Sequence, residues 1–172
     1  SWMAQFMGSI PKYEANTIQT VKLAMEARSH LKKWAQDEGF EFDVEDRGIL
    51  HIYQDESELT HAREVNKLLA KGGLERNEVS GEEARTIEPS IQADLVGGFY
   101  TASDFSGDIH SYTRALSAAC ERKGVEFRYH TKCHQPDHIG DGVRINWSSD
   151  HDRGEERFDA VVVCAGVGSR DI

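Results

Sequence analysis

The period of apolar and polar positions changes several times along the chain, and each change predicts an element. From Tyr13 to Glu38, the residues Val21, Ala24, Met25, Leu31, Trp34 and Ala35 recur near one face at helical spacing. This predicts a long helix, ended by Gly39. Phe40 to Val44 alternates as a half-buried strand does, and Gly48 to Tyr53 is a second strand, apolar nearly throughout. Asp55 with Glu58 makes a capping box for a helix to about Lys71, with Leu59, Ala62, Val65 and Leu69 inward. Gly72-Gly73 terminates it, and Ser80 with Glu83 opens a short helix over Glu82 to Thr86. Pro89 forces Glu88 out of helical geometry. Leu95 to Thr101 is a strand entered through Gly97-Gly98, a pair that suggests a bulge or close backbone approach. Asp108 caps a helix to about Lys123, with Ile109, Tyr112, Leu116 and Ala119 inward. Val125, Phe127 and Tyr129 alternate in a strand, Gly140-Asp141-Gly142 is a hairpin turn, and Val143, Ile145 and Trp147 alternate in the returning strand.

The last run, Phe158 to Gly166, is continuously apolar, rich in valine and closed by small residues. That is the pattern of a strand buried on both faces of a parallel sheet. Parallel sheets place ligands at the carboxyl ends of their strands. Ala165 and Gly166 would let a ligand approach the backbone there. No Gly-x-Gly-x-x-Gly turn precedes the run, so the chain reads as an internal piece of a larger nucleotide-binding enzyme. A division is expected near Asp104, with residues 1–104 mixing helices and antiparallel strands. Residues 105–172 would be the central portion of a nucleotide-binding half. The fold class is mixed α/β (α+β): a partial Rossmann-like domain beside an antiparallel sheet with helices.

Composition narrows the function. The chain has 172 residues, enough for one domain or a small domain and part of another. A net charge of -10 argues against nucleic acid as partner, and against docking on anionic lipid by a polybasic patch. No apolar run reaches spanning length. The apolar string Ser1 to Met7 is too short for a signal peptide and reads as the tail of a helix. Three cysteines, Cys120, Cys133 and Cys164, have unpatterned spacing and read as reduced, mostly buried thiols of a cytoplasmic protein.

Several strings, in order, carry a resemblance. They are Gly48-Ile49-Leu50-His51-Ile52-Tyr53, Ile87-Glu88-Pro89-Ser90-Ile91, and Leu95-Val96-Gly97-Gly98-Phe99-Tyr100. Gly107-Asp108 before a helix, Gly124-Val125-Glu126-Phe127 followed by Thr131, and Asp159 to Gly166 complete the set. Together they resemble the FAD-dependent D-amino-acid oxidase and dehydrogenase superfamily, and within it the bacterial D-amino-acid dehydrogenases (small subunit). The resemblance implies an FAD domain interleaved with a substrate domain, and oxidation of an amino acid to a 2-oxo acid and ammonia. It assigns Tyr13 to Thr101 mainly to the substrate domain and Gly107 to Ile172 to the FAD domain. It also implies that Thr131, Lys132 and Cys133 lie beside the adenine, and Cys164, Ala165 and Gly166 near the phosphate and ribose. Cys133 stands where Val is usual in the family. FAD is expected in the full-length protein and not to be retained by this chain alone. The resemblance leaves the electron acceptor open, a membrane-associated one included, and with it peripheral attachment of the parent at the inner membrane.

Residues able to meet a substrate are fewer. Tyr53 and Tyr100 offer hydroxyls, His51 could line a pocket, and Arg47 is a cation close by. The plainer alternative makes His51 and Tyr53 ordinary residues on one strand face. His130, Cys133, His134 and His138 look like metal ligands, but Pro136 removes a helix and a strand spreads them too far apart, so no metal is expected. Cys164 packs more simply as a small apolar residue than as a nucleophile. Two other functions stay open: a glycine or sarcosine-type amine oxidase of the same superfamily, and a non-catalytic acidic interaction domain.

Overall fold

The computed structural model describes residues 2–170, so Ser1, Asp171 and Ile172 lie outside the described residues. The chain forms two compact units, residues 1–120 and 121–172.

The first unit opens with helix α1 (Trp2–Ser9), a 3-10 turn (Ile10–Lys12) and helix α2 (Tyr13–Glu38). Gly39 ends α2 in the left-handed region, at φ 68, which a residue without Cβ adopts at least cost. Strand β1 (Ile49–Tyr53) leads into α3 (Glu56–Lys71), then β2 (Asn77–Val79), α4 (Gly81–Ile87), β3 (Gly97–Thr101) and α5 (Ile109–Arg122). Caps stand at the expected residues, with Asp55 and Glu58 forming only the N-cap half of the expected box. The Asp55 carboxylate accepts from the Ser57 and Glu58 amides, and Ser80 and Glu83 form a reciprocal capping box. The Asp108 carboxylate accepts from the amides of His110 and Ser111. Replacing Ser80 with alanine is expected to cost about 1 kcal/mol, read from urea denaturation, because the Glu83 amide loses its acceptor.

Hydrogen bonds from Ser57 and Glu58 hold the Asp55 carboxyl below its usual range, and bonds from Ser111 and His110 do the same for Asp108. Bonds from Ser80 likewise lower Glu83. A carboxyl depressed by folding contributes stability above its unfolded pKa and loses it as pH falls through the folded value. The melting temperature of the chain should therefore fall as pH drops below about 4. Asp55→Asn, which keeps an acceptor but not the charge, should flatten part of that slope.

The three strands pair antiparallel in the order β1-β3-β2. Register sets Leu50 opposite Tyr100, His51 opposite Phe99 and Tyr53 opposite Gly97. Two small cores hold the unit. Leu59 and Ala62 of α3 bury Phe99, with Tyr53 against them. Ala35, Phe42 and Tyr112 make the other, flanked by Leu31, Phe40, Phe105 and Leu116. Helices α2 and α3 approach closely where Gly72 meets Val21; a Cβ on Gly72 would lie 2.6 Å from the valine side chain.

The second unit is an antiparallel meander of β4 (Lys132–Cys133), β5 (Asp137–Ile139), β6 (Gly142–Ser148) and β7 (Arg153–Phe158), followed by a 3-10 turn (Gly166–Arg170). Central β6 pairs with the other three strands, and Gly140-Asp141 makes the expected hairpin turn between Ile139 and Gly142. No helix among the described residues is long and apolar enough to cross a membrane.

Four expectations need correction. Phe40 to Val44 is not a ladder strand: Asp43 takes φ 51, which interrupts the extended backbone, and only a bridge between Glu45 and Ser106 forms. Val125 to Tyr129 forms no ladder with the described strands, and Val125, Phe127 and Tyr129 are exposed. The run from Phe158 to Gly166 is not a buried parallel strand. Phe158 ends β7, residues 159–165 make no ladder, and Val162 is 83% exposed. A doubly buried strand needs neighbours at both edges and layers on both faces; the described residues supply neither, and all their strand pairings are antiparallel. The thiols also differ from the buried expectation: Cys133 and Cys164 are exposed and Cys120 is half-buried. Each exposed thiol follows its backbone, on a short outer strand and on the uncovered terminal run.

Candidate functional site

In the second unit, Ile145 and Trp147 of β6 share a cavity lining with the 160–165 segment. The cavity has a volume of about 600 Å³. Thr131, Cys133, Pro136, Phe158 and the run from Ala160 to Ala165 line it. Four of the residues expected around a cofactor, Thr131, Cys133, Cys164 and Ala165, thus meet at one place. Lys132 does not line it; strand alternation turns its side chain away from that of Cys133. Gly166 begins the final turn at φ 56, with no atom within 4 Å of where its Cβ would be.

The cavity has a charged edge that the sequence reading missed. The Arg128 guanidinium stacks over the Trp147 ring, 5.5 Å from its centroid, and both its terminal nitrogens donate to the Glu156 carboxylate. Glu156, with a smaller part from Glu126, raises the Arg128 pKa further. The Trp147 indole nitrogen is buried without a hydrogen-bond partner among the described residues. His134, one of the histidine cluster, shares a hydrogen bond with the Ser148 hydroxyl at 3.1 Å.

In the first unit the sheet separates the three candidate substrate residues. Residues facing each other across antiparallel strands share a face, so His51, Tyr53, Phe99 and Thr101 lie on one side; α3 packs on Phe99 and Tyr53 there, while His51 stays exposed. Tyr53 meets Phe99 edge-to-face, with ring centroids 6.4 Å apart. Burial, then the nearby Arg76 cation, pushes the His51 pKa below its usual value against an opposing pull from Asp104. NMR should show the imidazole titrating below a free histidine.

Tyr100 lies on the opposite face with Leu50 and Ile52. Its hydroxyl donates to the Arg47 carbonyl oxygen at 2.8 Å, and its ring occupies the space above Gly48. This face opens into a second cleft, of about 380 Å³, completed by Arg47, Ile87, Glu88 and Ile91. Arg47 Nε donates to a Glu45 carboxylate oxygen at 2.9 Å. Hydrogen bonds from Ser90 hold the Glu88 carboxyl below its usual range, with a lesser contribution from the Arg47 charge. Ile87 and Ile91 carried no site signal of their own in the sequence; only their place in the Ile87 to Ile91 string did.

Comparison with known proteins bears on both sites. The family model described as FAD dependent oxidoreductase matches residues 3–172. The chain belongs to this FAD-dependent oxidoreductase family. It is 42% identical, over its whole length, to "D-amino acid dehydrogenase 3" of Mesorhizobium japonicum, and covers 42% of that protein. It is 34% identical to "D-amino acid dehydrogenase" of Paramagnetospirillum magneticum, over 98% of this chain and 40% of the relative. The chain thus spans about two-fifths of the length of the curated relatives it matches. Among solved structures, glycine oxidase from Geobacillus kaustophilus superposes with a TM-score of 0.69 over 89% of this chain and 40% of its own, at 17% identity. L-proline dehydrogenase from P. horikoshii superposes with a TM-score of 0.59 over 76% of this chain and 33% of its own, at 16% identity. These superpositions carry the fold of the family's FAD-dependent oxidoreductases.

Proposed function

We propose that the protein containing this chain is an FAD-dependent dehydrogenase that converts D-amino acids to 2-oxo acids and ammonia in amino-acid catabolism. The observation that carries the reading is the full-length match to a D-amino acid dehydrogenase at 42% identity. The family fixes FAD as the cofactor class, and this chain's residues suit part of it. A cavity of about 600 Å³ lies within the range of small-molecule sites. Its apolar walls, Ile145, Trp147 and Phe158, suit a flat aromatic base. The turn at Ala165-Gly166 leaves backbone free of bulk, as close approach of a ribose or phosphate requires.

Thr131, Lys132 and Cys133 would hold the adenine end through backbone groups, and Cys164, Ala165 and Gly166 the ribose-phosphate end. When bound, FAD takes up the two electrons of the oxidation at the substrate's α-carbon. The chain's own part is to bind and orient: residues 121–172 grip the nucleotide, and the sheet of residues 1–120 presents the amino acid. Retention of FAD by this chain alone is not expected. Electrons then pass to an acceptor outside the chain, which a cytoplasmic enzyme can meet at the membrane surface.

The test is to purify the full-length protein and offer it D-alanine, glycine and sarcosine with an artificial acceptor. A yellow protein releasing 2-oxo acid and ammonia from D-alanine supports the reading. Oxidation of sarcosine or glycine but not D-alanine replaces it with the amine-oxidase alternative, whose fold the glycine oxidase superposition shares. A colourless protein inert to all three contradicts it and favours a binding role.

A further inference from the structure

Three charged side chains line the cavity of the second unit: Glu126, Arg128 and Glu156. Arg128 is the single cation among the described lining residues, and both carboxylates lie against it. Its two terminal nitrogens donate to the two Glu156 carboxylate oxygens, and a Glu126 oxygen stands 3.9 Å from Nη2. This edge therefore carries a net negative charge, and the donors at the end of the guanidinium are engaged. A phosphate placed there would meet two carboxylates and no uncommitted cation.

What the edge leaves free is a planar face. The guanidinium carbon lies over the Trp147 ring, 5.5 Å from its centroid, so one side of the plane is turned to the indole. Strand β7 fixes that arrangement twice. Gly154 pairs with Trp147 across the ladder, and a Cβ on Gly154 would lie 2.9 Å from Cζ2 of the indole, so the ring occupies room that glycine leaves. Glu156, two residues on and on the same strand face, orients the guanidinium. The Arg128 side chain is still 44% exposed, and it borders the cavity together with Thr131 and Cys133, the residues placed above at the adenine end. Guanidinium planes stack on aromatic faces, and nucleobases stack on arginine planes as they do on aromatic rings.

We propose that Arg128 is the stacking platform for the adenine of FAD, with Trp147 and Glu156 as the positioning residues that hold its plane. A neutral purine suits this edge where an anion does not. The same contact favours FAD over FMN, which lacks the base. The inference rests on the FAD reading above and adds the residue that recognises the base.

The experiment uses the full-length protein stripped of flavin, with its Arg128→Lys and Glu156→Gln variants, and reads affinity by calorimetry. FAD, ADP and FMN are titrated in turn, so that each half of the cofactor is also presented alone. Arg128→Lys keeps the charge and loses the plane; it should weaken FAD and ADP by a common factor of about ten and leave FMN unchanged. Glu156→Gln reaches the same plane by a second route and should weaken ADP by a smaller factor. Thermal melting followed by circular dichroism checks that both variants are folded. ADP affinity unchanged in Arg128→Lys, FMN weakened as much as ADP, or ADP tightened by Glu156→Gln as a phosphate-pairing arginine would require, each overturns this inference while the FAD reading stands. Failure of the unsubstituted protein to bind FAD overturns both.

Discussion

Phe99→Ala should lower the unfolding free energy of the chain by about 3–5 kcal/mol, the range for truncating a buried aromatic residue. Phe99 is 1% exposed and lies between Leu59 and Ala62 of α3 and the ring of Tyr53. The Arg76 guanidinium covers another side of its ring, 5.0 Å from the centroid. The hole cannot be filled by collapse of the strand, because β3 is central and held by ladders on both edges. A Cβ on Gly97, two residues earlier, would lie 3.0 Å from the Leu59 side chain, so the helix has little room to settle further onto the sheet. Urea denaturation followed by circular dichroism measures the loss. Val162→Ala is the contrasting control: its side chain is 83% exposed in this chain, and the change should stay within about 0.5 kcal/mol. A Phe99→Ala cost below about 1 kcal/mol would mean that the α3-to-sheet core is not what holds the first unit.

Gly166→Val is expected to strip flavin from the full-length protein, with affinity falling about tenfold or more. Two effects combine. The residue sits at φ 56, where a side chain costs roughly 1–2 kcal/mol and a β-branched one more. A Cβ there meets nothing within 4 Å in this chain, so crowding comes only from whatever approaches the turn from outside. Each 1.4 kcal/mol is a factor of ten in affinity, so steric exclusion of that size, or strain that the free turn relaxes and the bound turn must restore, reaches the expected loss. The ratio of flavin absorbance to protein absorbance after desalting reports it. Gly166→Ala, carrying the same φ penalty with less bulk, should fall between the two. Full flavin content in the valine variant would place the nucleotide elsewhere.

How much the sequence discloses differs by kind of feature. Helices were legible because their ends carry local chemistry. Asp55, Ser80 and Asp108 accept amide bonds at the starts, and Gly39 takes the left-handed turn at an end. Strands depended on partners that no local pattern reveals. Asn77–Val79 forms β2 with only one apolar residue, because β3 offers it an edge. Val125 to Tyr129 has the alternation but no ladder beside it among the described residues. The terminal valine run has the composition of a buried strand and the same lack of neighbours.

For the sites, the small-residue turn and the family resemblance at Thr131 and Cys133 led to one cavity. The substrate residues were harder. A strand's two faces differ by one position, and nothing within Gly48 to Tyr53 says which face a distant helix will cover. Leu59 and Ala62 decide it by packing on Phe99, which puts Tyr100 and His51 on opposite sides.

Anaerobic reduction of the bound flavin in the full-length protein by D-alanine is the most direct measurement. Bleaching of the flavin band, with one equivalent each of pyruvate and ammonia per flavin, is the result expected. A flavin that binds but is not reduced by any D-amino acid would contradict the proposed activity.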